Sequence, residues 1–396
     1  MSSSEPSPEA SPVSGEAVSS PAAPASKPVI TIALIALSAI GTWLWKNEGE
    51  EYIAWLWATN VELWRGMKLW TLFTSLFAHG DLVHLFFNCY WCWHLGRPIE
   101  SQIPRWHFLL LVVGTTLLGS LSELAITGDT GIGMSGMVYG LFGFMLVMRD
   151  QHPAFRRAID PRTIRLLTGW LVLCFVVDAM NVMPVANFAH LGGFLSGMLA
   201  GLVSKDGPWR KRAGAFLGLL AGAGLVSLGW APWQENWHFA RATAAVEAGD
   251  HAKALPHLDY FHARHPDEAW VTYTAASIRI QQKDHATALE MLNRTANLIA
   301  DPYITNTLGW LLATSPDERL RDGRRAVEWA KQACEATNWE NASFIDTLAA
   351  AYAEKGDFTE ALKWSTKAVE MSTGEEHEAL LKTLEKLKQG QPIRTP

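Results

Sequence analysis

Between residues 29 and 230 of this chain, long apolar runs alternate with short polar loops; beyond 230, apolar residues recur at helical spacing among charges. The first pattern is that of membrane-spanning helices, the second that of amphipathic helices with one buried face. Seven apolar runs stand at 29–45, 82–99, 107–125, 135–148, 166–180, 188–203 and 213–230. The first is uncharged and reads as a span. The fourth to sixth fall short of the ~20 residues a lone spanning helix needs, and beside longer companions they are expected as inner helices of one bundle. The expected class is all-α, with three regions: a Ser/Pro-rich stretch at 1–27, a polytopic membrane bundle at 28–230 and helical repeats at 231–396.

Residues 1–27 offer almost nothing to bury and are expected to be disordered. They have no basic leader and no arginine, and carry Glu5, Glu9 and Glu16, so neither a cleavable signal peptide nor a mitochondrial transit peptide is expected. With that stretch inside, the inside loops hold eleven basic residues, among them Arg149, Arg156, Arg157, Lys205 and Arg210, against Lys46, Arg65 and Lys68 outside. The asymmetry predicts a cytoplasmic N-terminus. Seven spans then put 231–396 on the extracytoplasmic side. The outside loop at 46–81 is rich in tryptophan (Trp55, Trp57, Trp64, Trp70) and is expected to lie half inserted at headgroup depth. Compact loops and a short N-terminal stretch point to a bacterial plasma membrane.

After Trp230 a motif repeats. Gly249-Asp250-His251-Ala252-Lys253-Ala254-Leu255 returns 34 residues on as Lys283-Asp284-His285-Ala286-Thr287-Ala288-Leu289, and again as Gly356-Asp357-Phe358-Thr359-Glu360-Ala361-Leu362, with Ala326 between. A period near 34 with small residues at helix crossings resembles the tetratricopeptide array, here of about four units with an insertion at 315–323. Such an array implies a protein partner; a plain helical spacer is the alternative.

Composition narrows the classes. Of 396 residues, 49% are hydrophobic and only 18% charged, below the ~25% of an ordinary soluble domain. Mean hydropathy is nevertheless +0.05, the average of two unlike halves. The net charge of −6 argues against nucleic-acid binding. Four cysteines are too few for a disulfide scaffold, and the three in apolar stretches read as buried free thiols. Cys89, Cys92 and His94 lack haem-attachment spacing and read as core. His257, His262 and His265 are expected on the surface of the repeats. Nothing in the pattern asks for a cofactor or a metal.

Polar groups inside spans are costly and mark function. His84 and Asn88 share a face of the second run. The fourth opens Gly131-Ile132-Gly133-Met134-Ser135-Gly136-Met137-Val138-Tyr139-Gly140, and the sixth opens Asn187-Phe188-Ala189-His190-Leu191-Gly192-Gly193. Ser135 and His190 can form a nucleophile and its base. Gly193, Gly197 and Gly201 on one run, with Gly136 and Gly140 on the other, let the two helices approach closely. At a helix start, the free amides around Ser135 can meet an oxyanion. His84 and Asn88 can add donors to it. Tyr139, one turn on, can stack on the imidazole. Asp178, at the end of the fifth run, could orient the base but reads better as a loop-facing cap, so a dyad without an acid is expected. The derived topology puts all these groups near the outside ends of their spans.

This constellation resembles the rhomboid intramembrane serine proteases over about residues 70–203. The family's marks are a His-x-x-x-x-His-x-x-x-Asn segment (His79, His84, Asn88), a Gly-x-Ser-Gly segment (Gly133, Ser135, Gly136) and an Ala-His-x-x-Gly segment (Ala189, His190, Gly193). The resemblance implies a six-span core, here with a seventh span. It implies Ser135 as nucleophile, His190 as general base, and His84, Asn88 and the Ser135 amide as oxyanion donors. Tyr139 matches the tyrosine packed on the imidazole, and His79 and Glu100 match structural positions. Trp70-Thr71 departs from the Trp-Arg common in the family's first loop. The expected activity is a serine endopeptidase cleaving the transmembrane segments of single-pass proteins within the lipid bilayer. The alternative is a non-catalytic membrane adaptor that binds transmembrane helices and displays the repeats; family members of that kind lack the Ser or the His.

Overall fold

The computed structural model describes residues 27–58, 62–63 and 68–395. The disorder expected for 1–27, Lys27 apart, and the roles expected of Trp64 and Arg65 fall outside those residues. The chain divides into two compact units, one up to Leu228 and one from Gly229. Neither contains a strand among the described residues.

The first unit holds seven long helices: α1 (Val29–Glu48), α2 (Leu82–Gln102), α3 (Arg105–Thr127), α4 (Ser135–Met148), α5 (Pro161–Ala179), α6 (Asn187–Ser204) and α7 (Trp209–Ser227). Each coincides with one apolar run. By length and composition, α1 and α3 suffice to cross a membrane alone, and α4 is apolar but shorter. α2 and α6 carry His84, Asn88, Asn187 and His190, which dilute their apolar character. The surface of this unit is apolar, and its apolar interior holds several polar groups. Leu37, Ile40, Phe86, Phe87, Leu110 and Val172 are exposed, while Thr42, His79, Asn88, Glu100, Glu123 and His190 are buried. An apolar exterior of this extent fits lipid better than water.

Carboxylates fasten the helix starts. Glu100 on α2 accepts from the Ile30 and Thr31 amides and the Thr31 hydroxyl at 2.8–2.9 Å, satisfying free N–H groups of α1. Asp81 caps α2 by accepting from His84 N–H at 2.8 Å. The segment before α2 is seated on the bundle. Ala58, Leu63 and Leu72 pack against Leu118, Leu121 and Leu124 of α3. Trp55 and Trp70 stack with centroids 6.0 Å apart. Thr71, the departure from the family pattern, is fully buried and donates to Lys68 O at 2.7 Å.

The closest approach in this unit is between α4 and α6. A Cβ on Gly193 would run into Gly136 O, and one on Gly197 into Gly140 O. A Cβ on Gly136 would lie 3.1 Å from Ala189 O. The glycine stripes meet backbone to backbone, so no side chain fits between them.

The second unit consists of α8 (Glu235–Glu247), α9 (His251–Arg264), α10 (Ala269–Gln281), α11 (His285–Ala296), α12 (Pro302–Thr314), α13 (Gly323–Ala336), α14 (Ala342–Glu354), α15 (Phe358–Met371) and α16 (Gly374–Lys388). These form four helix pairs and a terminal helix. The repeated motif is a turn, a cap and a crossing. Gly249, Lys283 and Gly356 take positive φ at the turn. Asp250, Asp284 and Asp357 then cap the second helix of three pairs, and Asp322 caps that of the third. Ala254, Ala288, Ala326 and Ala361 are fully buried where the helices cross. The insertion at 315–323 contains one short 3-10 turn, Glu318–Leu320. One expectation is corrected here. His262 is buried rather than on the surface, because its Nδ1 lies 2.8 Å from the Thr272 hydroxyl inside the stack.

Replacing Gly197 or Gly193 by alanine is expected to prevent recovery of folded protein from detergent, since the added Cβ meets a carbonyl that no rotamer relieves. Gly218→Ala on α7, with nothing within 4 Å, serves as the neutral control. Monodisperse Gly197→Ala protein with wild-type thermal stability would show the α4–α6 contact to be looser than described.

Candidate active site

The α4–α6 contact sets the register of the side chains that precede it. Ser135 lies one residue before Gly136, and His190 three before Gly193. Across that interface His190 Nε2 is 2.8 Å from Ser135 Oγ. With Nε2 unprotonated, the serine hydroxyl donates to it, as proton transfer from a nucleophile requires. His190 is 5% exposed, so water does not compete freely for this bond. Its Nδ1 is buried and has no hydrogen-bond partner among the described residues. The Asp178 carboxylate is taken by Asn187 Nδ2 at 3.1 Å and Val185 N–H at 3.4 Å, which ties down the loop entering α6. The Tyr139 ring lies 4.9 Å from the imidazole, tilted by 38°. Its hydroxyl donates to Leu167 O at 3.0 Å and so anchors it to α5.

The backbone ahead of Ser135 is held in place by other elements. Gly133 takes φ +100, and a Cβ there would lie 2.8 Å from the His84 ring. Gly133 N–H donates to Ser75 O at 3.0 Å, and Met134 N–H to His79 Nε2 at 3.4 Å. His79 is fully buried, and its Nδ1 is 3.3 Å from the Thr42 hydroxyl of α1. Its ring meets that of His84 edge-on at 4.9 Å. The first rung of the α4 ladder is Val138 N–H to Met134 O. The amides of Ser135, Gly136 and Met137 therefore lie ahead of the ladder, in the position where a helix offers donors to an anion.

A cavity of about 20 Å³ opens beside Ser135, lined by Ser75, Thr116, Ser120, Gly131, Ala186 and Ala189 among others. Its hydroxyl lining and size suit a single water.

The structure thus gathers Ser135, His190, Tyr139, Gly133, His84, His79 and Gly193 into one cluster. Asn88 is buried on the same face of α2 as His84, but its amide donates to His84 O at 2.9 Å, and no described hydrogen bond ties it to Ser135. Cys89 and Cys92 are free thiols, and His94 Nε2 bonds Ala158 O at 2.8 Å. Among the described residues no group of His, Cys, Asp and Glu has the arrangement of a metal site.

Sequence reasoning missed Glu123. This residue of α3 is 3% exposed and its carboxylate accepts from Ala189 N–H at 2.8 Å, capping the turn of α6 that carries His190. The available signal was a lone acid in an apolar span, which is costly unless it has a partner.

Residues 66–206 match the family model described as a rhomboid domain, and residues 245–311 match that described as a tetratricopeptide repeat. The chain is 28% identical over 171 residues to Rhomboid protease GlpG of Pectobacterium atrosepticum, covering 43% of this chain and 58% of that protein. It is 27% identical over 173 residues to the protein of the same name from Salmonella paratyphi A, covering 43% and 59%. For that of Serratia proteamaculans the identity is 26% over 171 residues, covering 43% and 60%. The chain spans less than two thirds of the length of these curated relatives.

Loss of the Glu123 cap leaves buried amides unpaired, at about 1–3 kcal/mol. Glu123→Ala is expected to lower the unfolding midpoint accordingly, while Glu123→Gln, which keeps a carbonyl acceptor, stays near wild type. Equal stability of the alanine and glutamine variants in a detergent thermal melt would overturn the capping role.

Proposed function

We propose that this chain, which carries a rhomboid domain followed by tetratricopeptide repeats, is an intramembrane serine endopeptidase acting through a Ser135–His190 dyad. The observation that supports this most is the 2.8 Å bond between Ser135 Oγ and His190 Nε2 at the start of α4, inside a bundle with an apolar exterior. The relatives named above are proteases by name, and at under 30% identity they carry the family rather than the activity.

In this reading a transmembrane segment of a substrate presents a peptide carbonyl to Ser135. Oγ forms a bond to the carbonyl carbon while its proton passes to His190 Nε2. The carbonyl oxygen becomes an oxyanion, received by the Ser135 amide and the neighbouring amides of the first turn. His84 flanks that position, and Asn88 joins by exchanging its bond to His84 O for one to the oxyanion. The C–N bond then breaks, and the imidazolium returns its proton to the leaving amine. Water attacks the acyl-enzyme with His190 again as base, restoring Ser135. The polar cavity beside Ser135 offers a place for that water in surroundings where bulk water is scarce.

Ser135→Ala and His190→Ala are each expected to reduce cleavage of a single-pass reporter by at least about 10³, and the double variant to lose no more than either single one, because a catalytic unit acts non-additively. The test is co-expression with reporter proteins, scored for cleavage, with folding checked by melt. Cleavage by folded Ser135→Ala protein at the wild-type rate would assign the chain to the non-catalytic adaptor class instead.

We further propose that seven spans and a cytoplasmic N-terminus carry residues 231–396 to the extracytoplasmic side, with the repeats binding a protein partner. The basic residues of the inside loops support that orientation. A phosphatase fused after the last residue is expected to be active. Activity only of a cytoplasmic reporter would mean an even number of crossings.

A further inference from the structure

The repeat unit has a cavity that the peptidase reading leaves unused. Its volume is about 270 Å³, and it is lined by Asn306, Thr307 and Trp310 of α12, Ser343, Asp346 and Thr347 of α14, and Leu380 of α16. These helices are the first members of the last two pairs and the terminal helix, so the cavity lies along one side of the stack. Tyr303, one turn before Asn306, is 55% exposed and stands edge-on to Phe344 at 5.5 Å and to Tyr273 at 6.1 Å. An aromatic wall thus runs from α10 to α14.

Two residues lining this cavity carry an acceptor that has no hydrogen-bond donor among the described residues. Asp346 is only 5% exposed, and its Oδ1 is buried without a hydrogen-bond partner, as is Asn306 Oδ1. A second acidic group stands close by, because Glu376 on α16 accepts from the Ser343 hydroxyl at 2.6 Å. No residue lining the cavity is basic. Burial first, and the Glu376 charge second, push the Asp346 carboxyl up to about 7. A buried carboxylate oxygen without a donor is costly, and such a group in a native structure calls for a donor from outside the chain, a water, an ion or a ligand group.

We infer that this cavity is a docking site for a lysine or arginine side chain carried by an extended segment of a protein partner, its cation received by Asp346 and Asn306 and its flanks by the Tyr303 and Trp310 rings. The inference rests on the reading of this unit as a protein-binding array and adds the chemistry of what it binds. Acceptors alone select a donor, the acidic surroundings select a positive one, and aromatic faces suit the aliphatic stem and cation of these side chains. The volume admits one long side chain.

The test uses the full-length chain in detergent and pools of capped twelve-residue peptides, random except for a central Lys, Arg, Met, Gln or Glu. The Lys and Arg pools are expected to be retained at least ~10-fold better than the Met pool, the scale of a charge-assisted bond of about 1.4 kcal/mol. Asp346→Asn is expected to bring the pools close to parity. Asn306→Asp, which adds charge at the same place, is expected to widen the preference. Equal retention of Lys and Met pools by the wild type, or a cation preference that survives Asp346→Asn, would overturn the proposal while leaving a peptide-binding array in place. Retention of no pool would overturn both.

Discussion

Everything in the membrane unit turns on two helices meeting with no side chain between them. Gly193 and Gly197 of α6 lie against Gly136 O and Gly140 O of α4. In lipid, apolar side chains gain little by leaving one apolar surface for another, so helices associate by close packing and polar contacts. Glycine gives up side-chain area for nearness of backbones. The register of that contact is also the register of the Ser135–His190 hydrogen bond, because both residues stand within one turn of its upper end. A slip of one residue between the helices would part Oγ from Nε2 and bury a side chain against a carbonyl. Stability and chemistry therefore share a constraint.

The helix ends raise a problem that membranes sharpen. Free amides at a helix start find water in a soluble protein, but a bilayer core offers none. Two buried glutamates answer this. Glu100 takes the first amides of α1, and Glu123 takes one from α6 next to His190. Each joins helices far apart in sequence, so each acts as a cap and a tie. The start of α4 is treated differently. Its leading amides have no such carboxylate, and the segment before it is held from outside, by Ser75 O on Gly133 and by His79 on Met134. The backbone ahead of α4 is thus fixed by its neighbours, and its leading amides lie ahead of the helix ladder.

Much of this was legible in the sequence, for identifiable reasons. Helix positions followed from apolar periodicity, since the seven helices coincide with the seven runs. The α4–α6 contact followed from glycines four residues apart, a local pattern with a single geometric use. The pairing of Ser135 with His190 followed from chemistry and from the resemblance together. Glu123 was not legible, because its partner is 66 residues away and no local spacing announces a cap supplied by another helix. The burial of His262 escaped for the same reason, as it is decided by Thr272 on the next helix. Asn88 was placed correctly on the His84 face, but the bond it makes to its own helix depends on a rotamer that sequence does not specify.

The repeats show why scaffold and function separate within one pattern. The recurring residues all serve construction: a positive-φ turn, an aspartate cap, an alanine where helices cross. These cannot vary without loss of stacking, and they make the array readable. Asn306 and Asp346 stand two residues before Leu308-Gly309 and Leu348-Ala349, equivalent places in successive units. Asp346 is nevertheless buried and Asn306 partly so. An amide in one unit and a carboxylate in the next, both without donors of their own, are expensive as architecture. Both positions lie outside the recurring turn, cap and crossing residues, so construction of the array does not fix their identity.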